Sequence, residues 1–154
     1  EKRPDWSVVG LDASLAMLRI AHNGIREKAG LVLADAKGMP FPNCCFDVVF
    51  SNSILHHISD PSTFWREVKR IAASNTLIFF RDLFRPESPQ RARDIVEQYS
   101  GEESTLLKEE FYRSLLAAYT PQEVESQLNE AGLSFLRVET ASDRHLDVIG
   151  VMPA

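Results

Sequence analysis

Residues 31–57 decide the fold of this chain. Leu31-Val-Leu-Ala-Asp-Ala36 is followed by Met39-Pro-Phe-Pro-Asn-Cys-Cys45 and then by Phe46-Asp-Val-Val-Phe-Ser-Asn-Ser-Ile-Leu-His-His57. Two short apolar runs each end in polar residues, and a loop with two prolines separates them; such runs are typical of buried strands. In an open α/β sheet, ligands bind outside the carboxyl ends of the strands, so the polar residues that close these runs are candidates for a site.

The rest of the chain alternates strands and helices. A strand over 6–11 closed by Asp12, a helix from Leu15 toward Gly30 and a strand over 31–33 form a βαβ unit, which predicts a parallel sheet. The later predicted elements are a strand over 46–50, a helical turn within 53–58, a helix from 61 that stops before 74, a strand over 76–80, helices over 89–99 and around 107–115, a helix over 121–131, and strands over 134–140 and 146–152. The link 141–145 is short, so the last two strands form an antiparallel hairpin.

Composition excludes several classes of partner. The 154 residues suffice for one domain, and 44% apolar and 25% charged residues are ordinary for a globular protein. The net charge of -5 and the lack of a basic block argue against nucleic acid or an anionic membrane surface. We therefore expect no nucleic acid and no membrane partner, and we leave a homo-oligomer open.

The two cysteines are neighbours, Cys44 and Cys45. Adjacent cysteines form a disulfide only in a strained geometry, which suits a reducing compartment, and we expect a cytoplasmic protein. No second pair of ligands lies at a suitable spacing, so the sequence predicts no metal site.

Two carboxylates stand where apolar runs stop. Asp12 closes the first predicted strand, where a carboxylate commonly accepts hydrogen bonds from a ribose diol. Asp35 closes the second and could accept a hydrogen bond from an exocyclic amine, with Ala36 leaving room for a base. The alternatives are that Asp12 caps the following helix and that Asp35 is a solvated loop acid.

His56 and His57 follow the strand over 46–50. An imidazole titrates near neutral pH, so either could be a general base that takes a proton from an attacking nucleophile. A histidine in this position also commonly caps a helix or packs against its neighbours.

The segment 83–119 is too long for a simple connection and contains two predicted helices. Inserted segments above a sheet often carry specificity, so we expect a substrate lid here. The polar and aromatic candidates for its lining are Arg81, Phe84, Arg85, Tyr112 and Tyr119.

Several short motifs occur in a characteristic order. They are Val9-Gly-Leu-Asp12-Ala-Ser14 with Met17-Leu18, Ala34-Asp35-Ala36, Met39-Pro-Phe-Pro42, Phe46-Asp-Val-Val-Phe50, and Leu55-His-His-Ile58 with Asp60-Pro61. This ordered set resembles the class I S-adenosylmethionine-dependent methyltransferases, in particular the small-molecule group related to the ubiquinone and menaquinone methyltransferases. The resemblance implies an α/β, Rossmann-like doubly wound, mostly parallel sheet with an antiparallel carboxy-terminal hairpin strand.

The resemblance also implies S-adenosylmethionine as the cofactor and methyl transfer to a small-molecule acceptor as the activity. His56 and His57 would face the acceptor. The implied cofactor residues are Asp12 for the ribose hydroxyls, Ala13 and Met17 beside the adenine, Asp35 and Ala36 for its amine and ring edge, and Ser51 and Asn52 for the methionine portion.

Family members carry a strand and a Gly-rich turn before the position of Asp12, which residues 1–5 do not supply. We therefore expect a single methyltransferase-like domain over 1–154 that is truncated at its amino terminus. The strands that end at Asp12 and Ser51 should then have unpaired backbone groups.

Two other functions stay open. One is a non-catalytic remnant of the fold that pairs its open sheet edge with another chain. The other is a nucleotide-dependent oxidoreductase, which the carboxy-terminal hairpin and the Met39-Pro-Phe-Pro42 loop favour less.

Overall fold

The structure is a computed structural model that describes residues 6–25 and 29–154. The strands and helices in chain order are β1 (Val9–Asp12), α1 (Leu15–Ile25), β2 (Gly30–Leu33), β3 (Phe46–Asn52), a 3₁₀ turn (Leu55–His57), α2 (Pro61–Ile71), β4 (Ala72–Leu83), α3 (Pro89–Ser100), α4 (Thr105–Ala117), α5 (Pro121–Glu130), β5 (Arg137–Thr140) and β6 (His145–Val151). The predicted α/β class and order of elements are confirmed. The predicted course of α1 through 26–28 lies outside the described residues.

The chain divides into two compact units, and the first is Glu1–Phe41. Here β1 and β2 pair in parallel with Asp12 opposite Leu33, and α1 connects them. Ser14 starts α1, since its hydroxyl accepts a hydrogen bond from Met17 N at 3.3 Å. The βαβ unit is therefore present as predicted.

The second unit, Pro42–Ala154, contains a four-stranded sheet in the order β3-β4-β6-β5. The pair β3 and β4 is parallel, while β6 runs antiparallel to both β4 and β5. The predicted hairpin is therefore confirmed. Within the described residues, β1 pairs only with β2 and β3 pairs only with β4, so the expected open strand edges are present.

Strand β4 is much longer than the predicted 76–80. The residues before it look like a turn in sequence, and Asn75 does adopt a left-handed conformation with φ of 64°. The strand nevertheless continues through this irregularity, because Ala72 pairs with Phe46 and the buried Thr76 hydroxyl donates to the Phe46 carbonyl at 2.5 Å. Tertiary pairing thus overrides the local turn signal.

Helix α5 has the predicted ends. The Thr120 hydroxyl accepts from Glu123 N and the Glu123 carboxylate accepts from Thr120 N, which makes a capping box. After the helix, Gly132 has φ of 67° and its N–H bonds to the Asn129 carbonyl, as in a Schellman motif. These local signals are strong because each satisfies backbone groups that the helix leaves unpaired.

The core of the second unit lies where α2 packs on β4, and α5 packs against α2. Trp65 and Phe64 of α2 pack edge-on against Phe80, with ring centroids 5.3 and 5.6 Å apart from it. The Trp65 indole is fully buried and donates to Gln127 Oε1 at 3.1 Å. A separate cluster on α3 and α4, including Ile95 and Leu115, packs below Leu83.

We predict that Trp65→Ala lowers the free energy of unfolding by about 3 to 5 kcal/mol, because it leaves a large cavity in the aromatic cluster. Urea denaturation followed by circular dichroism measures this change. Leu106→Ala on α4 is the control, since Leu106 is 70% exposed, and we expect little change there. A loss below about 1 kcal/mol for the Trp65 variant would contradict this packing.

Candidate active site

A buried carboxylate joins the carboxyl ends of β3 and β4. The two strands are parallel with Asn52 opposite Arg81, so Asp82 lies beside the residues that follow β3. Asp82 Oδ2 accepts hydrogen bonds from Ile54 N at 2.7 Å and Leu55 N at 2.6 Å. Together these bonds hold the 3₁₀ turn against the end of β4.

The other oxygen of Asp82 holds His56. Oδ1 accepts from Leu83 N at 2.8 Å and lies 2.6 Å from His56 Nδ1. Both side chains are almost fully buried, with 4% and 3% of their surfaces exposed. Because the Asp82 carboxylate accepts hydrogen bonds from three backbone N–H groups, it also accepts in its contact with His56. His56 Nδ1 is therefore the donor.

The second nitrogen of His56 is therefore free to act as a base. A neutral imidazole protonated at Nδ1 carries a lone pair at Nε2. In the described part of the chain, every buried side-chain nitrogen or oxygen has a hydrogen-bond partner. His56 Nε2 has no such partner among the described residues, so it is not one of the buried atoms. It follows that Nε2 is open to solvent.

The backbone between β3 and His56 is constrained. Ser53 adopts a left-handed conformation with φ of 60°, which is uncommon for a residue other than glycine. Its N–H donates to the Arg81 carbonyl at 2.8 Å and so continues the pairing of β3 with β4. This turn directs the following N–H groups toward Asp82.

His56 lines an open pocket of about 450 Å³. Helices α3 and α4 contribute Tyr99 and Phe111, and the segment that enters β6 contributes Arg144 and His145. Among the described residues that line it there are three histidines and one arginine, but no aspartate or glutamate.

Two other imidazoles at the pocket favour the neutral form. Burial lowers the pKa of His57, and the adjacent His56 lowers it further, against a smaller opposing effect of Asp82. Burial also lowers the pKa of His145, with Arg144 as the next cause. The rings of His56 and His57 are 4.0 Å apart.

The predicted cofactor residues of the first unit lie at the carboxyl ends of β1 and β2. Asp12 is half-buried and its Oδ1 accepts from Ser14 N at 2.7 Å. Asp35 is exposed and bonds to both Lys37 N and Lys37 Nζ, and these hydrogen bonds hold the pKa of its carboxyl below the usual range. Ala13 and Met17 are exposed, and Ala36 is buried.

The remaining predicted cofactor residues close β3. Ser51 is half-buried and pairs with Phe80, while Asn52 is exposed. They directly precede the constrained turn at Ser53. The structure thus brings Ser51, Asn52, His56 and His57 to one end of the second unit's sheet.

The residues expected to line a lid have other contacts. Arg81 binds Asp147, Arg85 binds Glu123, and the Tyr119 hydroxyl donates to the Ile58 carbonyl at 2.6 Å. These two ion pairs and this hydrogen bond connect neighbouring elements of the second unit. The segment instead reaches the pocket through Tyr99, Ser100, Phe111 and Ser114.

Sequence reasoning missed Asp82 and the pair Arg144 and His145. Asp82 follows a predicted strand, as Asp12 and Asp35 do, so the same signal could have found it; its partner His56 is 26 residues away in sequence. Arg144 and His145 lie at a hairpin, where polar residues carry no distinguishing signal.

Comparison with known proteins decides the family. A model described as a methyltransferase domain matches residues 1–80, which is more than half of the chain. The chain belongs to this methyltransferase family. The resemblance to class I S-adenosylmethionine-dependent methyltransferases is thereby confirmed, and neither of the two other functions gains support.

Curated relatives of this methyltransferase domain act on different substrates. It is 39% identical over 82 residues to a malonyl-[acyl-carrier protein] O-methyltransferase of Legionella pneumophila, covering 52% of this chain and 29% of that protein. It is 29% identical over 87 residues to a demethylmenaquinone methyltransferase of Roseiflexus, covering 56% of this chain and 37% of that protein. The chain spans about a third of the length of the curated relatives it matches.

Solved structures show the same fold at low identity. The plantazolicin methyltransferase BpumL, in complex with a triazolic desmethylPZN analog and SAH, matches with a TM-score of 0.74 at 14% identity, over 99% of this chain and 69% of that one. A SAM-dependent methyltransferase from Aquifex aeolicus matches with a TM-score of 0.70 at 17% identity, over 97% and 71%. Of the helices in the described ranges, none has the length and apolar character to cross a membrane.

We predict that Asp82→Asn moves the imidazole proton of His56 from Nδ1 to Nε2. The asparagine amide keeps an oxygen for Ile54 N and Leu55 N and presents an N–H to Nδ1, while Leu83 N loses its acceptor. Nitrogen-15 NMR of the histidine side chains distinguishes the two tautomers. Asp47→Asn, at an exposed position of β3, is the control and should leave the spectrum of His56 unchanged. An Nε2-protonated His56 in the unaltered protein would contradict the assignment.

Proposed function

We propose that this domain transfers a methyl group from S-adenosylmethionine to a small-molecule acceptor held in the pocket at His56. The observation that carries the proposal is the buried His56–Asp82 pair, whose free imidazole nitrogen is open to solvent at that pocket. Membership of the methyltransferase family supports the reaction type. The acceptor pocket is built entirely from residues of Pro42–Ala154.

His56 acts as the general base in this proposal. Its Nε2 takes the proton of the acceptor's hydroxyl or amine, and the electron pair left on the acceptor atom forms the new bond to the methyl carbon. Asp82 positions the ring and stabilises the imidazolium that results. When bound, S-adenosylmethionine supplies a methyl group whose bond to the sulfonium sulfur breaks, with the electron pair kept by sulfur. His57, adjacent and neutral, is a second candidate for the proton transfer.

The carboxylates of the first unit suit the nucleoside part of the cofactor. Asp12 uses Oδ1 for Ser14 N, and the described residues give Oδ2 no partner, so Oδ2 can accept from a ribose hydroxyl. Asp35 accepts three bonds from Lys37 and keeps room for one more, as an adenine amine requires. We assign Ala13, Met17 and Ala36 to the adenine surroundings and Ser51 with Asn52 to the methionine portion.

Residues 83–119 form the substrate lid in this proposal. Helices α3 and α4 both contribute side chains to the pocket, and both pack on Leu83 at the end of β4. Ile95 of α3 and Leu115 of α4 are buried in the cluster with Leu83, which keeps both helices packed on the sheet that carries the His56 site. A closed pocket would exclude water from the reacting atoms.

Calorimetric titration of the full-length protein with S-adenosylhomocysteine tests the cofactor assignment. We expect binding that Asp12→Ala weakens about tenfold or more, since a hydrogen bond to a charged group contributes about 1.5–3 kcal/mol. Asp94→Ala, which removes a carboxylate from α3, should bind as tightly as the unaltered protein. Absence of any heat of binding from the unaltered protein would overturn the proposal.

Methyl transfer tests the base. With a panel of hydroxyl and amine acceptors and labelled S-adenosylmethionine, we expect His56→Gln to lower kcat by about a hundredfold or more. Affinity for S-adenosylhomocysteine should not change, because His56 is assigned to the acceptor. His22→Gln on α1 is the matched control and should retain full activity. Equal rates for the His56 variant and the unaltered protein would rule out this base.

A further inference from the structure

Arg144 lines the pocket and belongs to a small cluster of charged side chains. Arg144 lies with its guanidinium carbon 3.3 Å above the Tyr99 ring and its Nη1 3.1 Å from Asp143 Oδ1. Asp143 is also approached by Arg91 at 3.7 Å and accepts from the Tyr99 hydroxyl. Two guanidinium groups thus share a single carboxylate, and the cluster keeps a net charge of one.

Two other carboxylates near the pocket already have partners and do not line it. Asp147 is bound by Arg81 through two hydrogen bonds of 2.7 and 2.6 Å. Asp82 accepts three backbone N–H groups and His56, and is only 3% exposed. Arg144 is the one charged side chain among the described residues that line the pocket, so the nearest charge that a bound ligand meets there is positive.

His145 adds a hydrogen-bond donor beside Arg144. The Ser142 hydroxyl oxygen accepts from His145 N and Arg144 N, so its own proton is available for His145 Nδ1, 3.1 Å away. Neutral His145 then carries its proton at Nε2. Among the described residues, every buried side-chain nitrogen or oxygen has a hydrogen-bond partner, and His145 Nε2 has none. His145 Nε2 is therefore open to solvent.

The two imidazoles are therefore complementary. His56 presents a lone pair and His145 presents an N–H, and Leu83 and Phe111 add apolar surface to the same pocket. We propose that the methyl acceptor is a small carboxylic acid whose carboxylate binds Arg144 and His145. This inference rests on the proposed methyl transfer, because it assigns the acceptor of that reaction.

Binding of benzoate and benzamide to the full-length protein tests the inference. The two probes have nearly the same shape and differ in charge at pH 7.5, and calorimetry or ligand-observed NMR measures both without cofactor. We expect benzoate to bind about tenfold or more tightly than benzamide. Arg144→Gln should remove that preference, and Arg113→Gln on α4, which removes an exposed guanidinium, should leave it intact.

Equal affinity for the two probes, or a preference that survives in Arg144→Gln, would overturn the carboxylate site. Because Arg144 also stacks on Tyr99, circular dichroism must show that the variant is folded. If it is not, His145→Phe decides the matter: a severalfold loss for benzoate alone supports the site, and an unchanged preference overturns it.

The test is separate from that of the proposed function. Benzoate preference without binding of S-adenosylhomocysteine would retain the anion site and overturn methyl transfer. Binding of S-adenosylhomocysteine without benzoate preference would overturn the acceptor assignment alone.

Discussion

The buried carboxylate of Asp82 is the contact on which the rest of the site depends. Its two oxygens accept hydrogen bonds from Ile54 N, Leu55 N and Leu83 N and contact His56 Nδ1, all within 2.6 to 2.8 Å. These donors come from two segments that are distant in sequence. A carboxylate with fewer partners would be costly to bury, so this network defines one arrangement of the turn, the histidine and β4.

The strand pairing and packing around Asp82 explain how it is positioned. The register of the parallel pair β3 and β4 places Asp82 beside the 3₁₀ turn. Ser53, in its left-handed conformation, connects β3 to that turn. The aromatic cluster of Trp65, Phe64 and Phe80 holds α2 on β4. The same strand therefore anchors both the core and the site.

The pocket combines three separate parts of the second unit. The 3₁₀ turn provides His56 and His57, the two helices between β4 and α5 provide Tyr99 and Phe111, and the β6 hairpin provides Arg144 and His145. The tautomer of each imidazole is set by a different oxygen, that of Asp82 for His56 and that of Ser142 for His145. The two imidazoles thus have opposite hydrogen-bonding roles in one pocket, as the proposed acceptor requires.

The sequence by itself determined the order of the elements, several helix caps and the family. Thr120 with Glu123, Asp60 with Pro61, and Gly132 act on neighbouring backbone groups, so local reading locates the helix ends correctly. Only the tertiary structure decided that Asp82 holds His56, that β4 begins at Ala72, and that Arg144 and His145 reach the pocket. These features depend on strand register and on contacts between distant segments, which no local pattern of residues encodes.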